Sequence, residues 1–357
     1  MRPASGPRTA ERLLLVDPAR ETFADARPEE LARLFSSGDL LVMNDAATLP
    51  ASLAGKTQRG HPVEVRLLET PPARPERDRV PRNEGPCRVE GPVRAALLGA
   101  GDWRTRTEHR PAPERLAPGE EIALGADLRA TVESVSELSP RLVTLRFDRS
   151  GAALYRALYA HGRPIQYAHV PEPLELWSVQ TGYASRPWAV EMPSAGRPLT
   201  FEVLLGLKRR GVALATLTHA AGVSATGDPA IDAALPLPER YEIPQATVDA
   251  VARARRVLAV GTSVVRALEG AVARDGELRA GPGETDIIIR AGFEPRVVDA
   301  LFTGMHEREA SHFDLLQAFA PRALIESAYA HAEEAGYRGH EFGDATLILA
   351  RVTASAA

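Results

Sequence analysis

Cysteine is nearly missing from this chain: among 357 residues Cys87 stands alone. One thiol excludes an intrachain disulfide and any Cys-based metal site. Cys87 falls in a polar, proline-rich stretch and reads as an inert surface thiol. Lysine is almost as scarce, Lys56 and Lys208 being the only two, so arginine carries nearly all the positive charge. Coding bias toward arginine explains this more simply than phosphate binding does. The formal net charge of −4 offers no global attraction for a polyanion, so a nucleic-acid partner would need a local basic patch. No apolar run approaches the length of a membrane span, and LLLV at 13–16 is too short for a signal-peptide core. The expectation is a cytoplasmic protein with no membrane partner. What remains is ordinary for a globular protein, with 44% hydrophobic and 25% charged residues and length enough for two domains.

ERLLLVD (11–17) reads as a buried strand, followed by a helix opened by Pro28 with Leu31, Leu34 and Phe35 on one face, and then a second strand in GDLLVMND (38–45). From about Ala51 the period changes to two. VEVRLL (63–68), VRAALL (93–98), DLRATVESV (127–135) and RLVTLRF (141–147) alternate between Gly- and Pro-bearing turns, which argues for an antiparallel barrel or small sandwich. Residues 71–92 are too rich in proline and charge to pack and read as a mobile surface loop. From Ser150 helices alternate with strands. A helix capped by Thr200 and closed by Gly211 is expected to turn Phe201, Leu204, Leu205 and Leu207 inward. Further strands are expected at VALATLT (212–218), VLAV (257–260), TDIII (285–289), RVVDALF (296–302) and TLILA (346–350), and turns at Gly99–Gly101 and Gly281–Gly283. The fold class is a layered α/β main domain, residues 1–51 and 149–357, carrying an inserted antiparallel β-barrel domain, residues 52–148.

The sharpest local feature is a strand turning through Gly261, Thr262 and Ser263 into a helix that carries Arg266 one turn in. Free N–H groups and two hydroxyls at such a start suit a carboxylate or phosphate. On spacing alone, ordinary capping with a solvated Arg266 is the better explanation, since many α/β proteins carry such a turn. His219 ends an apolar strand, where α/β sites form, although a lone histidine there is more often structural. His306, Glu307 and Glu309 lack the i,i+4 spacing to His312 of a helical metal pair, so no metal site is expected. Ser311 and Asp314 read as a helix cap, and Trp177, Tyr183 and Trp188 as packing against the sheet.

AVGTSVVRALEG (259–270) resembles the AVGTTSVRxLE stretch of the S-adenosylmethionine:tRNA ribosyltransferase-isomerase family of queuosine biosynthesis. Other blocks follow in the same order. GDLLVMNDAATLPASL (38–53) is similar to GDLLVxNxTRVxPARL, MPSAGRPLTFEVLLGLKRRGV (192–212) to APTAGLHFTxxLLxxLxxxGV, VVDALFTGMH (297–306) to VVDxLxTNFH, and GYRGHEFGDATLIL (336–349) to YRFxSYGDAMLI. The similarity is colinear over nearly the whole chain. It departs where polar chemistry is expected: Asp45-Ala46-Ala47 replaces Asn-Thr-Arg, and Arg197-Pro198-Leu199 replaces Leu-His-Phe, while Asn44, His219 and His306 persist. The resemblance implies an α/β fold with an inserted barrel. It also implies transfer of the ribosyl portion of S-adenosylmethionine (AdoMet) to the aminomethyl group of a 7-deazaguanine in tRNA, releasing adenine and methionine. AdoMet is then a consumed substrate, and no cofactor is expected.

Carried onto this chain, the resemblance makes His219 and His306 catalytic, and Gly261, Thr262, Ser263 and Arg266 AdoMet-binding. Asn44, Tyr183, Ser194, Ala195, Gly196 and Asp344 become substrate-binding, with Glu341 a further candidate contact. The departures leave the acceptor as tRNA or a small molecule. Two other readings stand beside the leading one: an AdoMet-cleaving enzyme acting on a small-molecule acceptor, and a non-catalytic AdoMet- or RNA-binding relative.

Overall fold

The computed structural model describes residues 1–6, 11–70, 91–308 and 311–349. Cys87 and most of the stretch read as a loop at 71–92 lie outside the described residues.

A nine-stranded sheet forms the main body. Its order is Gly281–Thr285, Glu239–Ile243, Ala213–His219, Asp39–Asn44, Arg256–Val260, Ala300–Gly304, Ala345–Ile348, Leu13–Asp17 and Thr22–Ala26. The four strands from Ala213–His219 to Ala300–Gly304 run parallel, and antiparallel strands flank them. The central strands are apolar on both faces because both are covered. Leu40, Val42, Val257 and Ala259 face a layer containing the helices Thr262–Asp275 and Arg322–Glu334. Leu41, Met43, Leu258 and Val260 face the helix Phe201–Arg209 and the short turn Leu31–Leu34. Strict alternation along each strand sorts the residues between the two layers.

Six antiparallel strands close into a barrel. Ser52–Thr57, Pro62–Leu67, Val93–Leu98, Leu142–Phe147, Leu128–Val135 and Glu121–Leu124 pair in that order, and Glu121–Leu124 pairs back onto Ser52–Thr57. Closure removes the free sheet edges. Its core of Leu53, Val65, Leu97, Ile122, Val132 and Leu145 takes alternate residues of each strand. After the helix Gly151–His161 the chain returns through Gly162–Arg163, which pairs with Ser52 and Leu53 where the barrel begins.

Four local expectations are corrected. In the helix Phe201–Arg209 the inward face is Val203, Leu204 and Leu207, whereas Phe201 and Leu205 point outward, with 70% and 47% of their surface exposed. The stripe between two layers is narrow, and residues one turn apart at 201 and 205 share the neighbouring face. TDIII is not a strand: the edge strand is Gly281–Thr285, so Gly281–Gly283 is paired backbone rather than a turn. It ends where the Thr285 hydroxyl accepts the Ile287 N–H. Trp177 is exposed rather than packed against the sheet. Among the described residues, no helix is long and apolar enough to cross a membrane.

Candidate functional site

The four parallel strands deliver the singled-out residues to one edge. Asn44 and His219 are the last residues of their strands, Gly261 follows Val260, and His306 lies two residues beyond Gly304. The antiparallel strand beginning at Ala345 starts opposite Gly304, which brings Asp344 to the same edge. Ligands of open α/β sheets bind outside these carboxyl ends, because loops and helix starts converge there.

Gly261 adopts φ 91°, ψ 153°, and no side chain caps the helix behind it. Neither Thr262 nor Ser263 therefore plays the capping role that spacing alone allowed, and the first-turn N–H groups keep their partial positive charge. The turn Ser194–Gly196 lies directly against this start: a Cβ at Gly261 would stand 3.3 Å from the Ala195 Cβ. Gly196 in turn admits Tyr183, since a Cβ there would lie 1.9 Å from the Tyr183 hydroxyl. Burial, and then the Asp45 carboxylate, push that hydroxyl's pKa upward, so Tyr183 stays a neutral donor.

Asn44 is occupied by the protein. Its Oδ1 accepts the N–H of His219 at 2.9 Å and of Ala46 at 3.1 Å, and its Nδ2 donates to the His219 carbonyl at 3.0 Å. It extends the strand ladder by one side chain and fixes the backbone of His219. Asp344 is likewise filled, its carboxylate accepting the N–H groups of Arg12 at 2.8 Å and Arg338 at 2.7 Å.

His219 is fully buried. Its Nε2 stands 3.3 Å from Glu239 Oε2 without hydrogen-bonding geometry, so the contact is electrostatic. Burial lowers its pKa to about 4 against the pull of Glu239, leaving a neutral imidazole at pH 7. Glu239 also accepts the Gly222 N–H at 2.8 Å and a hydrogen bond from Arg266 Nη1. Arg266 further donates through Nε to the Ile287 carbonyl at 3.3 Å, and its Nη2 has no protein acceptor.

His306 enters this group through a residue that sequence reasoning set aside. His312, read as part of a helix cap, sits in the helix Ser311–Leu316 and stacks on His306 with centroids 5.2 Å apart. Burial lowers its pKa, with a further lowering from the Arg266 charge. His306 Nε2 is 2.8 Å from the Thr303 hydroxyl, and burial holds its pKa well below the ordinary value. Glu239 was also missed as a site residue: ERYEIP (239–244) carried it in plain view, but only the fold shows that it joins His219 to Arg266.

The half-exposed Thr262, Ser263, Ser194, Ala195 and His306 form the accessible part of this edge, with His219, Glu239 and Arg266 behind them. A cleft of about 450 Å³ lies elsewhere, against the barrel, lined among others by Glu64, Arg66, Trp103, Arg110 and Arg163. The convergence of strand ends and perturbed histidines makes the helix start the candidate site.

Comparison with known proteins agrees with the architecture. The family model described as queuosine biosynthesis protein matches residues 2–348. The S-adenosylmethionine:tRNA ribosyltransferase-isomerase of Methylorubrum extorquens is 35% identical, over 98% of this chain and 93% of its own. That of Anaeromyxobacter dehalogenans is 35% identical, over 97% of this chain and 94% of its own. The crystal structure of S-adenosylmethionine tRNA ribosyltransferase from Thermotoga maritima aligns with a TM-score of 0.50 at 25% identity, over 97% of this chain and 96% of its own. A family match across nearly the whole chain, relatives of similar length, and a shared fold lead to one conclusion: this chain belongs to the queuosine biosynthesis protein family.

Proposed function

We propose that the chain consumes AdoMet, moving its ribosyl portion to the aminomethyl group of a 7-deazaguanine in tRNA and releasing adenine and methionine. Family membership and the names of the relatives support this reading. The observation that carries it is the uncapped start of the helix Thr262–Asp275, set at the strand ends beside Arg266 and two neutral histidines.

The chemistry makes three demands. The sulfonium acidifies the neighbouring C5′ protons and makes methionine a good leaving group, so a base is required. The methionine carboxylate needs an anchor, and departing adenine needs a proton. The first-turn N–H groups, the Thr262 and Ser263 hydroxyls and the unfilled Arg266 Nη2 supply the anchor. A neutral imidazole can accept a proton at pH 7. His306 has accessible surface and takes the proton-transfer role, whereas His219 is fully buried beside Glu239. None of these steps draws on a resident cofactor.

The test incubates purified chain with AdoMet and tRNA bearing the 7-aminomethyl-7-deazaguanine, with an RNA-free control, and measures adenine, methionine and the mass of the modified nucleoside. RNA-dependent release of both products with the matching mass gain supports the reading. Adenine release without RNA moves the acceptor to a small molecule. Absence of both AdoMet binding and adenine release overturns the enzymatic reading.

A further inference from the structure

Beyond the helix start, His169, His340 and Glu341 each bring one ligand atom to within 4.8 Å of the others. His169 Nε2 lies 3.2 Å from Glu341 Oε2, and His340 Nδ1 lies 4.0 Å from the same oxygen. The two imidazole rings lie close and tilted by 31°, with centroids 4.4 Å apart. Chain segments far apart in sequence make this grouping, so spacing could not reveal it.

Two observations distinguish it from an ordinary surface ion pair. The Glu307 carboxylate sits 2.9 Å from His340 Nε2 and leaves Nδ1 as the nitrogen turned toward Glu341. A carboxylate on the far nitrogen is what fixes the tautomer and ring orientation of a metal-ligating histidine. His340 is also held at φ 66°, a conformation side chains rarely adopt, with its carbonyl accepting the Gly343 N–H at 2.9 Å. That backbone turn places His340 and Glu341 side by side over His169.

The electrostatics admit a cation. The nearby Arg197 is paired with Glu11 and so contributes little net charge. Glu341 and Glu307 remain, with Glu191 close enough for Glu341 to act on it. Two imidazoles and one carboxylate suit a divalent transition cation with positions left for water. We propose that His169, His340 and Glu341 form a binding site for such a cation, Zn²⁺ foremost, with Glu307 as the positioning residue for His340. The site lies next to His306, since Glu307 follows it in the chain and the His340 N–H donates to the Met305 carbonyl at 3.4 Å, and its test reads metal rather than turnover.

Chelator-stripped full chain is titrated with ZnCl₂ by calorimetry and with CoCl₂ by visible absorption. One equivalent per chain is expected, with the strong d–d absorption of a low-coordinate Co²⁺ site. His169→Gln and Glu341→Ser each weaken binding at least about 100-fold, and Glu307→Gln weakens it about 10- to 100-fold. His61→Gln, at an exposed position on the barrel, leaves it unchanged. Circular dichroism checks that each variant folds. Should any fail to fold, diethyl pyrocarbonate labelling of the wild-type chain, mapped by mass spectrometry, must show His169 and His340 protected by Zn²⁺. The proposal is overturned by an absence of saturable binding, by binding that survives His169→Gln and Glu341→Ser, or by labelling of His169 and His340 that Zn²⁺ does not reduce.

Discussion

Glu64 in the barrel and Glu239 in the main sheet are buried to the same degree, each side chain keeping 11% of its surface exposed, yet they are satisfied in opposite ways. Glu64 is held by two guanidinium groups, Arg66 Nε at 2.6 Å and Arg110 Nη1, and by the Ser52 hydroxyl at 2.8 Å. Burial alone would raise its pKa, and the Arg66 and Arg110 charges bring it below the ordinary value. Glu239 has one guanidinium, one backbone N–H and a histidine that touches it without a hydrogen bond. The first arrangement gives the carboxylate two guanidinium partners beside the barrel cleft, although Arg66 Nη1 and Arg110 Nε stay without protein hydrogen bonds. The second leaves Arg266 Nη2 and both His219 ring nitrogens without protein hydrogen bonds next to a helix start that no side chain caps.

The contrast is most exposed to test at Glu64. Glu64→Gln strands two buried guanidinium charges and is expected to cost about 3–5 kcal/mol in urea unfolding while leaving AdoMet affinity unchanged. A loss below about 1 kcal/mol would remove the distinction. Acid provides the next measurement. His219 is depressed from 6.5 to about 4, so between those values the unfolded chain binds the proton first. Its contribution to stability is complete above pH 6.5 and is lost as pH falls toward 4, amounting to about 3 kcal/mol when the loss is complete. His219→Gln should flatten that part of the stability–pH curve measured by denaturant midpoints. Gly196→Ala forces a methyl against the Tyr183 hydroxyl and is expected to lower stability by about 1–3 kcal/mol. Combining it with Tyr183→Phe should restore part of the loss in thermal melting, since the next neighbours stand at 3.0 and 3.1 Å. The smallest effect is expected from Arg266→Lys. The charge is kept and the second donor lost, so AdoMet binding by calorimetry should weaken about 10-fold, equivalent to about 1.4 kcal/mol, with little change in melting temperature.

Much of the architecture could be read from pattern alone. Period-two alternation over 52–147 marked the barrel strands, and the strands LLVMN and VLAV were recognisable as continuous apolar runs covered on both faces. The misreadings share a cause. Phe201, Leu205 and the run Ile287–Ile289 are apolar without being uniformly inward, because tertiary layers decide which apolar residues are covered. The helix start was legible because strand, Gly261 and Arg266 are neighbours in sequence. Glu239, His312 and the metal-type grouping at His169 were not, since each depends on elements brought together only by the sheet order and the loops at its edge. Asn44 and Asp344 were singled out by the family resemblance, but whether a buried amide or carboxylate faces a ligand or its own backbone is a matter of geometry.

One feature of the barrel's attachment bears on the history of the chain. Gly162 and Arg163 pair with Leu53 and Ser52, so the chain leaves the barrel where it entered. No barrel strand contributes to the nine-stranded sheet, and the sheet's order does not depend on what is threaded between Ala51 and Gly162. The barrel is also tied to the main domain away from that entry point, Arg94 donating to the Pro238 carbonyl at 3.1 Å and Arg141 to the carbonyls of Thr226 and Gly227 at 3.0 and 3.2 Å, so exchange of the module would have to preserve this second contact.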